Sequence, residues 1–570
     1  MSRRVLHTAA LLSFVGVPIV LSTGCDEGST YVASDDGGGD ASVAPDGPVD
    51  VRPDSGVEQE GGMTPPEPTV VEYEVACGSG EMYWPEEQDE IRWSVHCAGE
   101  LAAADGLPDG ASFDPSSKSI VWKPRLDQAG PFEIVVTDVD GGRTRIAGNL
   151  LDRFDAPDNV PVVDPVRYLH EHGLPVIHLS WHSDEPQYCR DAVARDPVPA
   201  DIIVDGVAHA GAELRCRGAT SLAFPKKSFT LRFTKDAPFH APPSLAAFEG
   251  RRRLVLTQTF DDNSQIRTRM GFETWSRLDP ANIRIDHASV VVFVDGVYQG
   301  LYQLTDNVGD HLMAARGLDK DGNIFKSVSH AGNYRTSYNN GKAKTDLKDG
   351  YEKSDGEPED DFEDLETLLR WVSESSIEEI EASIDAMLRT EDFLDWYILM
   401  TTLLAYDNYG KNSNVYRDSD GPDTRFRYIP WDLNATWGQS WDTKRVLPTA
   451  AGKDSPAPLA HNGIWERIAE SPTLLARLDA RFAAALAGPM SLVETLALFD
   501  RMSAEVRPSA LRDDRRWDAE RRAYPLWSSR KDLTTFDTEH AYLRSWIEQR
   551  WTHLAAFYLP GQASGVQLER

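Results

Sequence analysis

At 570 residues the chain exceeds one ordinary core, and a length prior points to about three to four units. Its apolar fraction of 41% suffices for folded domains yet is slightly low, as expected if part of the chain is unfolded. A formal charge of −33 argues against binding nucleic acid through its phosphates, which needs a basic face, and reads as a soluble, self-repelling surface.

The N-terminus carries an address. Arg3 and Arg4 precede an apolar run from Ala9 to Leu21. That run spans roughly 20 Å as a helix, short of the ~30 Å hydrocarbon core, which is the length of a secretory signal. It ends in Leu21-Ser22-Thr23-Gly24-Cys25, which resembles a bacterial lipobox with Leu one position further from the Cys than usual. The resemblance implies a signal over residues 1–25, lipidation of Cys25, and contact with a membrane through that anchor only. The alternative is an ordinary secretory signal with a chance cysteine. The other cysteines, Cys77, Cys97, Cys189 and Cys216, fall as two neighbouring pairs. An oxidising compartment would let Cys77 pair with Cys97 and Cys189 with Cys216, while other connectivities stay open. No CxxC occurs, which disfavours a thiolate zinc site or a thioredoxin-like motif.

Residues 26–68 are rich in Gly, Asp, Pro and Ser and cannot bury enough apolar surface to offset their chain entropy. They read as an acidic tether with a reach on the order of 35 Å. From 69 to 154 the pattern becomes strand-like: Ile91, Trp93, Val95 and Cys97 alternate with polar residues, as do Phe132, Ile134 and Val136. The run Gly106-Leu107-Pro108-Asp109-Gly110-Ala111-Ser112-Phe113-Asp114, then Ile120-Val121-Trp122 and Ala129-Gly130, resembles the cadherin-like or immunoglobulin-like modules of bacterial surface proteins. That resemblance implies a small all-β sandwich, a spacer or a binding module.

Residues 160–560 form the main domain. Strands are expected at 174–179, 201–204, 228–233, 253–256 and 290–294, with Asp205-Gly206 and Asp295-Gly296 as hairpin turns. The second half turns helical: 360–388, 393–406, 464–486 and 541–558 carry apolar residues at helical spacing. A mixed sheet followed by a helical part reads as α+β in two lobes.

Four segments carry the chemistry. The first, Leu214-Arg215-Cys216-Arg217-Gly218, continues to Phe224-Pro225-Lys226-Lys227-Ser228-Phe229 and offers a lysine pair suited to phosphate oxygens. The second runs from Val291 through Asp295-Gly296 and Gly300-Leu301-Tyr302 to Asp306. The third, Asp407-Asn408-Tyr409-Gly410-Lys411-Asn412, has an acid and an amide five residues apart, the spacing of the ordinary kinase catalytic loop. A carboxylate there can accept a hydroxyl proton while a neutral amide oxygen coordinates Mg²⁺. The fourth is Ile429-Pro430-Trp431-Asp432-Leu433-Asn434. Taken singly these read as a solvated lysine pair, a hairpin and turns.

Together, in this order, they resemble the CotH (spore coat protein H) family of atypical protein kinases. Two departures stand out: Asp306 where the family usually has Glu, and Asn434 where it usually has Asp. The resemblance implies a two-lobed kinase-like domain that uses ATP with Mg²⁺ or Mn²⁺. Asp407 would be catalytic; Lys226 or Lys227, with Arg217 and Asp306, would serve the nucleotide; Asn412, Asp432 and Asn434 would hold the metal. The implied activity is phosphate transfer to Ser or Thr of an extracytoplasmic protein, by a chain lipid-anchored in the bacterial cell envelope. The alternative is a surface lipoprotein that keeps the fold without catalysis and acts as adhesin or scaffold. No P-loop, G-x-G-x-x-G, H-E-x-x-H or G-x-S-x-G occurs, and the Asp-Gly runs at 319–323 and 418–421 lack the closing Glu of a calcium loop.

Overall fold

The computed structural model describes residues 69–154, 163–182, 189, 196–451 and 456–560. The expected signal, Cys25 and the tether lie outside the described residues. Among those described, no single helix is long and apolar enough to cross a membrane.

The N-terminal region is all-β. Two four-stranded sheets form it, one built on Glu90–His96 and Ser119–Trp122, the other on Gly130–Asp138 and Arg143–Leu150. Strand alternation sends Ile91, Trp93 and Val95 inward from the first sheet, and Phe132, Ile134 and Val136 inward from the second. Trp93 and Trp122 meet Phe132 across the gap, with ring centroids 5.7 and 5.5 Å apart. Cys77 and Cys97 are joined in a disulfide.

The main domain is mixed α+β around a nine-stranded sheet. Its central strands, in spatial order, are Glu213–Arg217, Ser228–Arg232, Arg253–Gln258, Val297–Asp306, His287–Val294 and Leu174–Trp181. Period-two alternation divides the sheet between two cores. Val290, Val292 and Val294 pack with Leu214, Phe229 and Leu254 on one face, while Val291 and Phe293 join the larger core that the helices share. Both expected hairpins form. Asp205 and Asp295 have φ of 51°, each followed by a glycine at positive φ, between the directly paired Val204 and Val207 and Val294 and Val297. A second disulfide joins Cys189 and Cys216.

The helical half departs from the expected boundaries where capping chemistry intervenes. The run 360–388 is two helices, Glu363–Glu374 and Ile377–Met387, because Ser376 and Glu379 form a reciprocal capping box. The run 464–486 divides at Ser471, which caps the helix Pro472–Ala487 by accepting from the Leu474 N–H. A 32-residue helix, Leu492–Ala523, was not anticipated; it continues through Pro508.

Thr390–Leu403 sets up the site. Thirteen of its fourteen residues are buried, as befits a helix apolar on all sides. It stops at Leu404 in the left-handed conformation. The chain then makes one tight turn, Tyr406–Asn408, and enters the hairpin Ser413–Arg417 and Arg427–Pro430.

Candidate functional site

The turn after the buried helix and the end of the hairpin come together through one amide. Asn408 is fully buried, and its Nδ2 donates to the backbone carbonyls of Trp431 (2.7 Å) and Asp432 (3.1 Å). This bond holds Asp407 beside Asp432. Lys411 Nζ lies 2.8 Å from Asp407 Oδ1, and Asn412 Nδ2 donates to Asp407 Oδ2 at 2.9 Å. The second bond uses an N–H of the amide and leaves its oxygen. Asn412 and Asp432 both adopt left-handed backbone, with φ of 55° and 57°. Asn and Asp tolerate that region better than other residues with a Cβ, yet it still costs about 1 kcal/mol each. Residues held there by their surroundings are often functional.

Asp432 is exposed by surface area, with its carboxyl partly desolvated by the protein around it. That desolvation, first, and then the neighbouring Asp407 push its carboxyl above the ordinary range; Lys411, Arg217 and Lys326 act against the rise. Arg217 ends its strand with its guanidinium 5.4 Å from the centre of the Trp431 ring. The cluster is thus two carboxylates faced by three cations.

Asn434 leads to a further acid. Its Nδ2 donates to Asp261 Oδ2 at 2.7 Å. Asp261 is buried, and burial pushes its carboxyl up to about 6; the Asn434 bond opposes this, while Asp262 and Asp432 add to it. Gln439 Nε2 donates to the Asp261 carbonyl (2.8 Å) and fixes the backbone there.

The remaining expected residues lie elsewhere. Lys226 is fully buried, and its ammonium donates to Asp513, to the Leu301 carbonyl (2.7 Å) and to Thr259 Oγ1 (3.2 Å). Those three acceptors match the three N–H donors of a lysine. Gly300 lacks a Cβ for the same reason: one would collide with the Asp513 carboxylate. Lys227 is half-buried and donates to the Leu222 carbonyl at 2.6 Å. Asp306 belongs to a buried charge cluster with Arg251 (2.7 Å) and Arg316 (3.1 Å). In register Asp306 opposes Leu254, while Tyr302 opposes Gln258 at the end nearer Asp261. Four strand residues at ~3.3 Å each separate Asp306 from that end.

Of the residues expected from sequence, the structure brings Asp407, Asn412, Asp432 and Arg217 together, with Asn434 leading on to Asp261, and adds Lys326, Asn408 and Lys411, which sequence reasoning did not single out. Asn408 and Lys411 stood within the quoted motif. Asp261 carried no signal beyond being one of an Asp-Asp pair 173 positions from Asn434.

The donor set is oxygen-rich and suits a hard divalent cation. Among the described residues no three His, Cys, Asp or Glu side chains converge as a ready cage. Mg²⁺ commonly binds through one or two carboxylates plus phosphate oxygens and water, which fits Asp407, Asn412 and Asp432. The arrangement can hold a hydroxyl near a carboxylate and neutralise phosphate charge with Arg217, Lys326 and Lys411.

Residues 214–554 match the family model described as CotH kinase protein. Over 279 residues the chain is 27% identical to inner spore coat protein H of Bacillus subtilis (strain 168), an alignment covering 49% of this chain and 73% of that protein.

Proposed function

From the premise that this chain belongs to the CotH kinase protein family, as its match over residues 214–554 establishes, we propose that it transfers the γ-phosphoryl group of ATP to a Ser or Thr hydroxyl of an extracytoplasmic protein. The observation that carries this reading is the Asp407–Lys411–Asn412 group held against Asp432 by Asn408. In the step proposed, the acceptor hydroxyl oxygen bonds to the γ-phosphorus, the bond from that phosphorus to the bridging β–γ oxygen breaks, and ADP departs. The hydroxyl proton passes to Asp407. Arg217, Lys326 and Lys411 offset the charge on the phosphate oxygens, and positioning does most of the work. Mg²⁺, held by Asp432 and Asn412, would supply further neutralisation of the nucleotide phosphates. Of the two lysines first considered, Lys226 is enclosed by Asp513, the Leu301 carbonyl and Thr259, while Lys227 is half-buried with its ammonium on the Leu222 carbonyl. We read the sheet part and the helical part as the two lobes.

The spore-coat assignment of the relative supports an extracellular or surface location for this chain too, and lipidation at Cys25 would provide its anchor. The test is direct. The full chain is incubated with ATP, Mg²⁺ or Mn²⁺ and a generic acceptor protein, and intact masses are read. Added phosphate with the wild type, and at least a hundredfold less with Asp407→Ala, is the expected result. No transfer, together with no nucleotide-dependent rise in melting temperature, would leave the non-catalytic adhesin or scaffold reading in its place.

A further inference from the structure

Three segments knit together around the turn that carries Asp407. The Asn412 N–H donates to the Ser327 carbonyl (2.9 Å), and Asn462 Nδ2 donates to the Tyr409 carbonyl (2.8 Å). Gly410 lies between them, where a Cβ would stand 2.7 Å from the His461 carbonyl oxygen and 3.4 Å from that of Gly332. This packing sets two imidazoles beside the turn. His330 is exposed and lies close enough to Asp407 and Lys411 for both to act on its charge, and its ring centroid is 5.9 Å from that of His461.

A relay of amides fixes which nitrogen of His461 carries the proton. It starts at Asn333, which is fully buried: its Oδ1 accepts the Arg335 N–H (3.2 Å) and its Nδ2 donates to the Ser337 carbonyl (2.9 Å). Those backbone partners leave the amide one orientation. Asn333 Nδ2 also donates to Asn339 Oδ1 (2.8 Å), so Asn339 turns its own Nδ2 the other way, onto His461 Nδ1 at 3.1 Å. Nδ1 therefore accepts, and the single proton of the neutral ring sits on Nε2. Burial, first, and then Arg335 keep the imidazole below its ordinary range, which maintains the neutral form; Arg335 is itself paired with Glu466 at 2.9 Å. His461 is only half-buried, and its Nε2 donates to no group among the described residues and is not sealed from solvent.

We propose that His461 Nε2–H donates to a backbone carbonyl of the polypeptide that carries the acceptor hydroxyl, so that His461 grips the acceptor and not the nucleotide. This role rests on the kinase reading above. A chain that brings a Ser or Thr hydroxyl to Asp407 runs on past it with a Cα every ~3.8 Å, and its carbonyls give up water on docking. A neutral N–H suits such an oxygen and is indifferent to side-chain sequence, whereas phosphate oxygens are already met by Arg217, Lys326 and Lys411.

The experiment is steady-state transfer by the full chain at pH 8 from Mg²⁺-ATP to dephosphorylated casein, with KM read separately for each substrate. His461→Ala should raise KM for casein at least threefold, near the low end of what one hydrogen bond contributes, with kcat and KM for ATP within twofold of wild type. His461→Gln, which restores an amide N–H of similar reach, should recover most of the loss. Asn339→Asp is the sharper variant. Its carboxylate keeps the bond from Asn333 but accepts from His461, moving the ring proton to Nδ1 and leaving Nε2 without one. KM for casein should rise as in His461→Ala while the melting temperature holds or increases, a combination that a merely structural bond would not give. Wild-type KM for casein in both His461→Ala and Asn339→Asp, an equal rise in KM for ATP, or a His461→Gln as weak as His461→Ala would overturn the proposal and leave the kinase reading intact. No transfer by the wild type would remove the kinase reading and this role with it.

Discussion

Asn434 shows how one residue's role is set by its neighbour. Its amide donates to Asp261, so an acid is present in this region although position 434 itself is neutral. Asn434→Asp would replace a donor with a second carboxylate facing a buried one. The expected outcome is a loss of about 1–3 kcal/mol in chelator, read as a lower melting temperature and partly restored by Mg²⁺. A variant that melts like wild type in chelator would show that the amide does no such work. Lys226 makes the complementary case. Because its partner Asp513 is fully buried, Lys226→Met leaves that carboxylate with only the more distant Arg521 (3.6 Å) as a counter-charge and should cost about 3 kcal/mol in denaturant unfolding. Nucleotide affinity of the folded fraction should not change. If affinity fell while stability held, Lys226 would be a ligand contact after all.

Among the elements, the helices rather than the strands hold the site in register. Glu539, in the helix Phe536–Tyr558, accepts from Arg267 in the helix Arg267–Leu278 and from Arg445 in the loop that follows Asn434. Burial alone would raise the Glu539 carboxyl, but Arg267 and Arg445 outweigh it and hold it at about 2, below an ordinary value of 4.5. The folded state therefore binds this proton less readily than the unfolded chain does. Its stabilisation is complete above pH ~4.5 and is lost as pH falls toward ~2, a contribution on the order of 3 kcal/mol. Glu539→Gln should be less stable than wild type at pH 6, with the difference vanishing near pH 2. A constant difference across that range would mean the carboxyl is not the titrating group. The long helix Leu492–Ala523 acts in the same structural sense, since its Asp513 reaches both Lys226 and the Leu301 N–H (2.8 Å).

For the whole molecule, an all-β region precedes a mixed α+β domain, and one disulfide lies within each. Cys77 and Cys97 are 20 positions apart, so replacing both with Ala should cost the β region about 3 kcal/mol. Because that bridge lies outside residues 214–554, the proposed phosphate transfer should be unaffected; a parallel loss of both would mean the two regions unfold together. Much of this organisation was readable in advance because it rests on local rules. Period-two alternation announced Ile91-Arg92-Trp93-Ser94-Val95, and Asp-Gly pairs announced both hairpins of the main sheet. The spacing of Asp407 and Asn412 lies within one turn and survives any fold that keeps that turn. Helix ends were less legible, since Ser376 and Ser471 act through capping bonds that apolar periodicity does not register. What only the tertiary structure decided is which charges meet. Lys226 and Lys227 are adjacent in sequence and indistinguishable by type, yet one is enclosed by an aspartate 287 positions away and the other reaches the Leu222 carbonyl five positions away. Asp306 was placed with the nucleotide and lies instead among Arg251 and Arg316, whereas the unremarked Asp261 stands beside Asn434. The physical reason is the same in each case. Secondary structure follows from interactions a few residues apart, but a buried charge must find its partner across the fold, and no local pattern encodes that distance.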